Sequence, residues 1–141
     1  MIKELLERAT EARNNAYAPY STFSVGACLL GVKGGLYAGC NVENSAYPNG
    51  TCAEAGAIAA MVLAGESRIK EILVLGPDDD NLCAPCGSCR QRLHEFADAA
   101  TPVHIFGSAG LQLSTTLGQL LPYSFVLPVT RVRAYDQPEE A

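Results

Sequence analysis

Apolar positions recur along this chain with changing period, and each change marks out an element. Ile2, Leu5, Leu6, Ala9 and Ala12 form a helical stripe, which predicts an amphipathic helix ending near Asn14-Asn15, with Pro19 barring continuation. Residues 23–32 are β-prone, and Gly34-Gly35 predicts a hairpin turn into a second strand over residues 36–42. Thr51 is read as the N-cap of a small-residue helix reaching about Leu63, which Gly65 closes. A strand is predicted over 69–75, then a turn at Gly76-Pro77-Asp78-Asp79-Asp80 and a helix from near Cys86 to about Ala97. A strand over 103–106, a short helix over 115–121 ended by Pro122, and a frayed tail at 136–141 complete the chain. The order α-β-β-α-β-α-β-α, a hairpin followed by alternating strands and helices, predicts a mixed sheet covered on both faces. The expected architecture is therefore α/β, a three-layer α/β/α fold in a single domain over residues 1–141.

Composition narrows the function classes. A chain with 48% hydrophobic and 18% charged residues has ordinary globular composition. The formal charge of -5, with Lys and Arg scattered and approaching a cluster only in pairs such as Arg90 with Arg92, argues against a nucleic-acid groove. A small neutral or weakly charged ligand is expected instead. No apolar run approaches the length of a membrane span, and the first residues read as a charged amphipathic helix rather than a secretory leader. A cytoplasmic protein is expected, so the cysteines at 28, 40, 52, 83, 86 and 89 are read as reduced thiols or metal ligands before disulfides.

The candidate chemistry lies in N-G-T-C-A-E-A at 49–55 and P-C-G-S-C at 85–89. On a first helical turn, Cys86 and Cys89 present both sulfurs on one face, where the helix dipole favours thiolate. Alone, this spacing fits a metal site, a redox pair or an incidental pairing. Cys52, at a second predicted helix start, completes three thiolates, which suits a tetrahedral zinc with one open position. Glu54 then stands where it can exchange protons with a water at that position without ligating. Zinc deaminases carry this order: a ligand, one residue, Glu, then P-C-x-x-C, with three cysteines an allowed set. The bland alternatives are a closed four-cysteine site using Cys83, or buried thiols with Glu54 completing a capping box with Thr51. Cys28 and Cys40, in predicted strands, read as small core hydrophobes.

With these motifs in place, the chain resembles the small zinc-dependent cytidine deaminases of nucleoside salvage over nearly its whole length. The resemblance also rests on P-Y-S-T-F-S-V-G-A at 19–27, N-V-E-N at 41–44, S-C-R-Q at 88–91 and L-L-P-Y-S-F at 120–125. It implies a mixed sheet of about five strands, one zinc per subunit on Cys52, Cys86 and Cys89, and Glu54 as catalytic proton shuttle. It further implies that Asn41 and Glu43 bind ribose hydroxyls and that Phe23 packs against the nucleoside. Ala53 belongs to the same substrate-binding set. Phe125 is implied to line a pocket, often one across a subunit boundary, in a homotetramer with shared sites. Tyr47 either reaches a neighbour's site or packs within its own turn. His94 and His104 match no ligand position and read as surface or internally satisfied residues. The implied reaction is hydrolysis: Glu54 takes a proton from water that zinc has acidified, the oxygen attacks C4 of the pyrimidine, and Glu54 returns protons to N3 and the leaving amine.

The chain departs from the family at Ala55, where arginine usually follows C-A-E, at Gly56, and in the 47–50 loop. Zinc with three thiolates is formally negative, so compensating charge is needed; two helix N-termini and a hydrogen bond from Arg90 to a ligand sulfur are expected to provide it. The departures bear on substrate choice. Cytidine and 2′-deoxycytidine lead, followed by an aminopyrimidine analogue such as blasticidin S or an N4-modified cytidine. A non-catalytic zinc or redox protein and a polynucleotide-editing deaminase are the remaining readings.

Overall fold

The sheet is built around β1 (Gly26–Gly31), an apolar run buried along its whole length. A strand this apolar needs both faces covered and a partner on each edge. In this computed structural model, which describes residues 1–128, β1 pairs antiparallel with β2 (Leu36–Cys40) and with β3 (Ile69–Leu75). Next, β3 pairs in parallel with β4 (Pro102–Gly107), which turns back into β5 (Gly110–Thr116). The strand order is β2-β1-β3-β4-β5, a mixed five-stranded sheet.

Successive side chains on each strand point to opposite faces, so one sheet nucleates two cores. On one face Cys28, Leu30, Leu73, Leu75 and Phe106 meet Leu5 and Ala9 of α1 (Ile2–Asn14). On the other, Ala27, Leu29, Ile72, Val74 and Ile105 meet Ala57, Ile58 and Met61 of α2 (Ala53–Leu63), together with Leu93 of α3 (Gly87–His94) and Leu117 of α4 (Leu117–Leu120). This is the expected three-layer α/β/α arrangement.

The predicted hairpin forms, with Gly34 in the left-handed region at φ 94°. Further along, the sequence reading missed β5 and assigned its last residues to a helix. Gly-Leu-Gln-Leu-Ser-Thr-Thr alternates apolar with polar but is short and largely exposed, so the pattern carries little weight until β4 supplies a partner. The helix shrinks to α4, closed by a capping box between Thr116 and Gln119. At its C-terminus α3 stops short of Ala97, and the Phe96 carbonyl accepts from the Ile69 N–H instead (2.8 Å), tying the chain to β3. The expected tail at 136–141 lies outside the described residues.

One correction bears on the site. Thr51 does not cap α2: its N–H and C=O are both spent on Val42, at 2.9 and 3.0 Å. The helix therefore starts one residue later, with Cys52 as its N-cap, and no capping box with Glu54 forms. Against α2 lies Gly39 of β2, where a Cβ would sit 2.3 Å from the Ala57 nitrogen and 2.4 Å from the Ala53 carbonyl. Glycine alone lets the strand approach the helix so closely.

Candidate active site

The register brings the pieces together. Gly26 is opposite both Cys40, at the end of β2, and Leu75, at the end of β3. The segment entering β1 and the segments leaving β2 and β3 thus meet at one edge of the sheet. In open α/β sheets this carboxyl end is where ligands bind. Both following helices begin there, and each begins on a cysteine: Cys52 is the N-cap of α2 and Cys86 the N-cap of α3.

Cys89, one turn into α3, completes a cluster in which the three sulfurs all lie within 4.8 Å of one another. The Cys52 and Cys86 sulfurs are 3.9 Å apart. Sulfurs about 2.3 Å from a tetrahedral zinc would be roughly 3.8 Å apart, so the donor set and its spacing fit zinc. Soft thiolates also favour zinc over hard cations. Cys83 is outside this cluster, so a closed four-cysteine site is not what the described residues form. Cys89 is buried, Cys52 half-buried and Cys86 exposed, which leaves the open side toward the cleft.

Burial governs the charges here. It pushes the Cys52 and Cys89 thiols up. At Cys86 burial also pushes upward, but the Cys89 backbone N–H and the neighbouring thiols outweigh it and the net shift is down. No ordinary cap hydrogen bond closes onto Cys86, so this help comes from the oriented N–H groups of the first turn. Glu54 is buried, and desolvation raises its carboxyl above the ordinary value, opposed by a hydrogen bond from Cys89 and the positive charge of Arg92.

A cleft of about 350 Å³ opens above the cluster, lined among others by Phe23, Asn41, Glu43, Tyr47, Ala53 and Glu54. Its walls are loops held by side chains. Asn41 Oδ1 accepts from the Val25 N–H (2.9 Å) and its Nδ2 donates to the Phe23 carbonyl (2.7 Å), so Asn41 sets the position of Phe23. Glu43 accepts from the Tyr20 and Ser21 N–H groups (3.0 and 3.1 Å) and from the Ser21 hydroxyl. Neither role is visible in the sequence, because the partners are some twenty residues away. A second cavity of about 380 Å³ shares Glu43, Tyr47 and Gly50 with the first.

Other expected residues stand elsewhere. Phe125 is 66% exposed and does not line the cleft of its own chain. Ala55 and Gly56 do not line it either, and a Cβ on Gly56 would make only ordinary contact with Gly39. Of the departures from the family pattern, it is the 47–50 loop that faces the cleft. His104 is satisfied internally by Ser114 and Glu71 (2.8 and 2.6 Å), as expected, and Cys28 is a core residue.

Arg90 does not make the expected contact with a sulfur. Its Nε donates to the Pro85 carbonyl (2.7 Å) and its Nη1 to the Leu120 carbonyl (2.8 Å), bracing α3 against α4. The residue directly after Cys89 is rotated about 100° from it around the helix, whereas the third residue on shares its face. That residue is Arg92, whose Nη1 lies 3.7 Å from Cys89 Sγ. The i, i+3 spacing was the signal in the sequence that would have found it.

A zinc-competent thiolate triad beside a buried carboxylate, on this fold, defines a metal-dependent hydrolase of the deaminase type. The sequence model of the cytidine and deoxycytidylate deaminase zinc-binding region matches residues 1–105, and the chain belongs to that family. It is 40% identical over 124 residues to a cytidine deaminase of Sporosarcina psychrophila, covering 88% of this chain and 90% of that one. Its fold is similar to the crystal structure of cytidine deaminase from Burkholderia pseudomallei, with a TM-score of 0.82, 38% identity, and coverage of 89% of this chain and 99% of the other. The cytidine deaminase of Mycobacterium tuberculosis is also similar, with a TM-score of 0.75, 34% identity, and coverage of 89% and 98%.

Proposed function

We propose that this protein hydrolyses cytidine and 2′-deoxycytidine to the corresponding uridines and ammonia, as an enzyme of pyrimidine salvage in the cytoplasm. The observation that carries the reading is the placement of buried Glu54 beside the Cys52, Cys86 and Cys89 sulfurs, on the floor of a cleft whose wall holds Phe23, Asn41 and Glu43. Zinc on the three sulfurs would contribute Lewis-acid acidification of the attacking water. Glu54 accepts one proton of that water and hands it to N3. It then carries the second, from the hydroxyl newly formed at C4, to the departing amine, and its raised affinity for protons suits it to both transfers. Phe23 offers a flat apolar wall for the pyrimidine. Asn41 and Glu43, after their loop-holding bonds, keep acceptor and donor capacity for vicinal ribose hydroxyls. Ala53, buried at the first position of α2, places its backbone and small side chain against the base.

The assembly we propose is a homotetramer with shared sites. Its support is the run of exposed apolar residues at Tyr123, Phe125, Val126 and Leu127, which a second copy would cover, bringing Phe125 to a neighbouring cleft. No nucleic acid is proposed as a partner, in keeping with the charge of -5. Among the described residues no helix is long and apolar enough to cross a membrane.

The decisive experiment is ammonia release by the zinc-loaded protein on cytidine and deoxycytidine, with uridine identified as product. Silence on both, with zinc bound, sinks the reading. The adjoining cavity at Tyr20, Ser21 and Asn44 supports a second substrate reading, an extended aminopyrimidine nucleoside such as blasticidin S. Preference for that compound over cytidine in the same assay would establish it.

A further inference from the structure

Three thiolates and a divalent zinc sum to one negative charge, and the Glu54 carboxylate adds a second within the same buried volume. Charge of one sign gathered away from water is costly unless something answers it. The N-terminal dipoles of α2 and α3 answer part, each equivalent to roughly half a charge at best. The rest must come from a side chain, and the geometry distinguishes the two arginines of α3. Arg90 donates to the Pro85 and Leu120 carbonyls and is committed to holding α3 in place. Arg92, an exposed residue, turns back along the helix, as long side chains on helices do, and brings Nη1 to 3.7 Å from the buried Cys89 Sγ. Cys89 is the fully buried member of the cluster, so its thiolate has least help from water. A guanidinium is permanently charged and weakly hydrated, which suits it to reach from the surface to a buried sulfur.

Building on the zinc reading above, we infer that Arg92 is a positioning residue for the metal centre: its guanidinium balances the thiolate charge through Cys89, and so sets how tightly zinc is held. The role is distinct from that of Arg90, which acts on the backbone. Arg92 is not among the residues that line the cleft.

The test is zinc competition against a chromophoric chelator, with Arg92→Gln, Arg92→Lys and Arg90→Gln set beside the parent. Arg92→Gln keeps a polar side chain of good helix propensity but removes the charge, and it should weaken zinc about 10- to 100-fold. Arg92→Lys should recover most of that loss. In the cobalt-substituted proteins, the thiolate-to-cobalt charge-transfer band should move in Arg92→Gln and return toward the parent position in Arg92→Lys. Arg90→Gln should lower the melting temperature while changing zinc affinity less than Arg92→Gln does. Parent-like zinc affinity and an unmoved cobalt band in Arg92→Gln would overturn the inference while leaving the deaminase reading intact. Failure of the parent itself to bind zinc or cobalt would remove the zinc reading and the inference with it.

Discussion

The floor and the rim of the cleft are built in different ways. On the floor, every chemical group belongs to the first turn of a helix: Cys52 and Cys86 are N-caps, and Glu54 and Cys89 follow within the same turns. Their mutual placement is set by helix geometry and by how two helices seat on one sheet face, with Gly39 allowing α2 its close approach. The rim, by contrast, is loop. Asn41 and Glu43 follow β2, and their side chains reach back to fasten residues 20–25. Burial differs in step: Glu54 is 4% exposed, whereas Phe23 is 38% and Tyr47 76% exposed. The floor can therefore hold charge in a dry, preorganised setting, while the rim is left to adapt to what enters. On the function proposed, the first would set reaction class and the second substrate range.

That division can be broken at either end. Removing a floor ligand should have the largest effect: Cys89→Ala takes the buried sulfur from the cluster, and both zinc binding and turnover should vanish, as metal analysis and the ammonia assay would report. Retained zinc with retained turnover would show that the metal lies elsewhere. Next comes Glu54→Gln, which keeps shape and ligands but cannot accept a proton. It should lower kcat about 100- to 10,000-fold with zinc content unchanged, and a fall of less than tenfold would deny Glu54 its role.

On the rim the effects should be smaller and of another kind. Asn41→Ala loses two bonds that position Phe23 and Val25, so KM should rise more than kcat falls, and stability should drop by about 1–3 kcal/mol. A pure kcat defect would place Asn41 with the floor. Smallest is the pH behaviour of Glu43, whose carboxyl the Ser21 hydroxyl and the Ser21 and Tyr20 amides hold below its ordinary value. The contribution of this tether is complete above the unfolded value and is lost as pH falls through the lower folded one. The Ser21 amide resonance should report a midpoint below that of an unconstrained glutamate, and Ser21→Ala should move it upward.

Arg90 and Arg92 show why some of this was legible in the sequence and some was not. The ligand cysteines and Glu54 could be read directly because a ligand and its neighbours within one helical turn have their geometry fixed by the period of the helix. The same rule favoured Arg92 over Arg90, yet adjacency in sequence is a tempting but poor guide to facing on a helix. The start of α2 was displaced from Thr51 to Cys52 by a pairing with Val42, which no local propensity encodes. β5 was missed because an exposed edge strand has little apolar signal and takes its identity from the strand beside it.

By itself, then, the sequence determined the order of elements from α1 to β4, the three sulfurs and the carboxylate, and the class of chemistry they support. These follow from periodicity, helix starts and donor chemistry, all of which act over a few residues. Tertiary structure decided that Asn41 and Glu43 hold the loop they share with Phe23, and that Phe125 stands outside its own chain's cleft. It also decided which arginine meets a ligand sulfur. The reason is the same in each case: hydrogen bonds and charge contacts between distant segments depend on strand register and helix rotation, and those exist only once the sheet has formed.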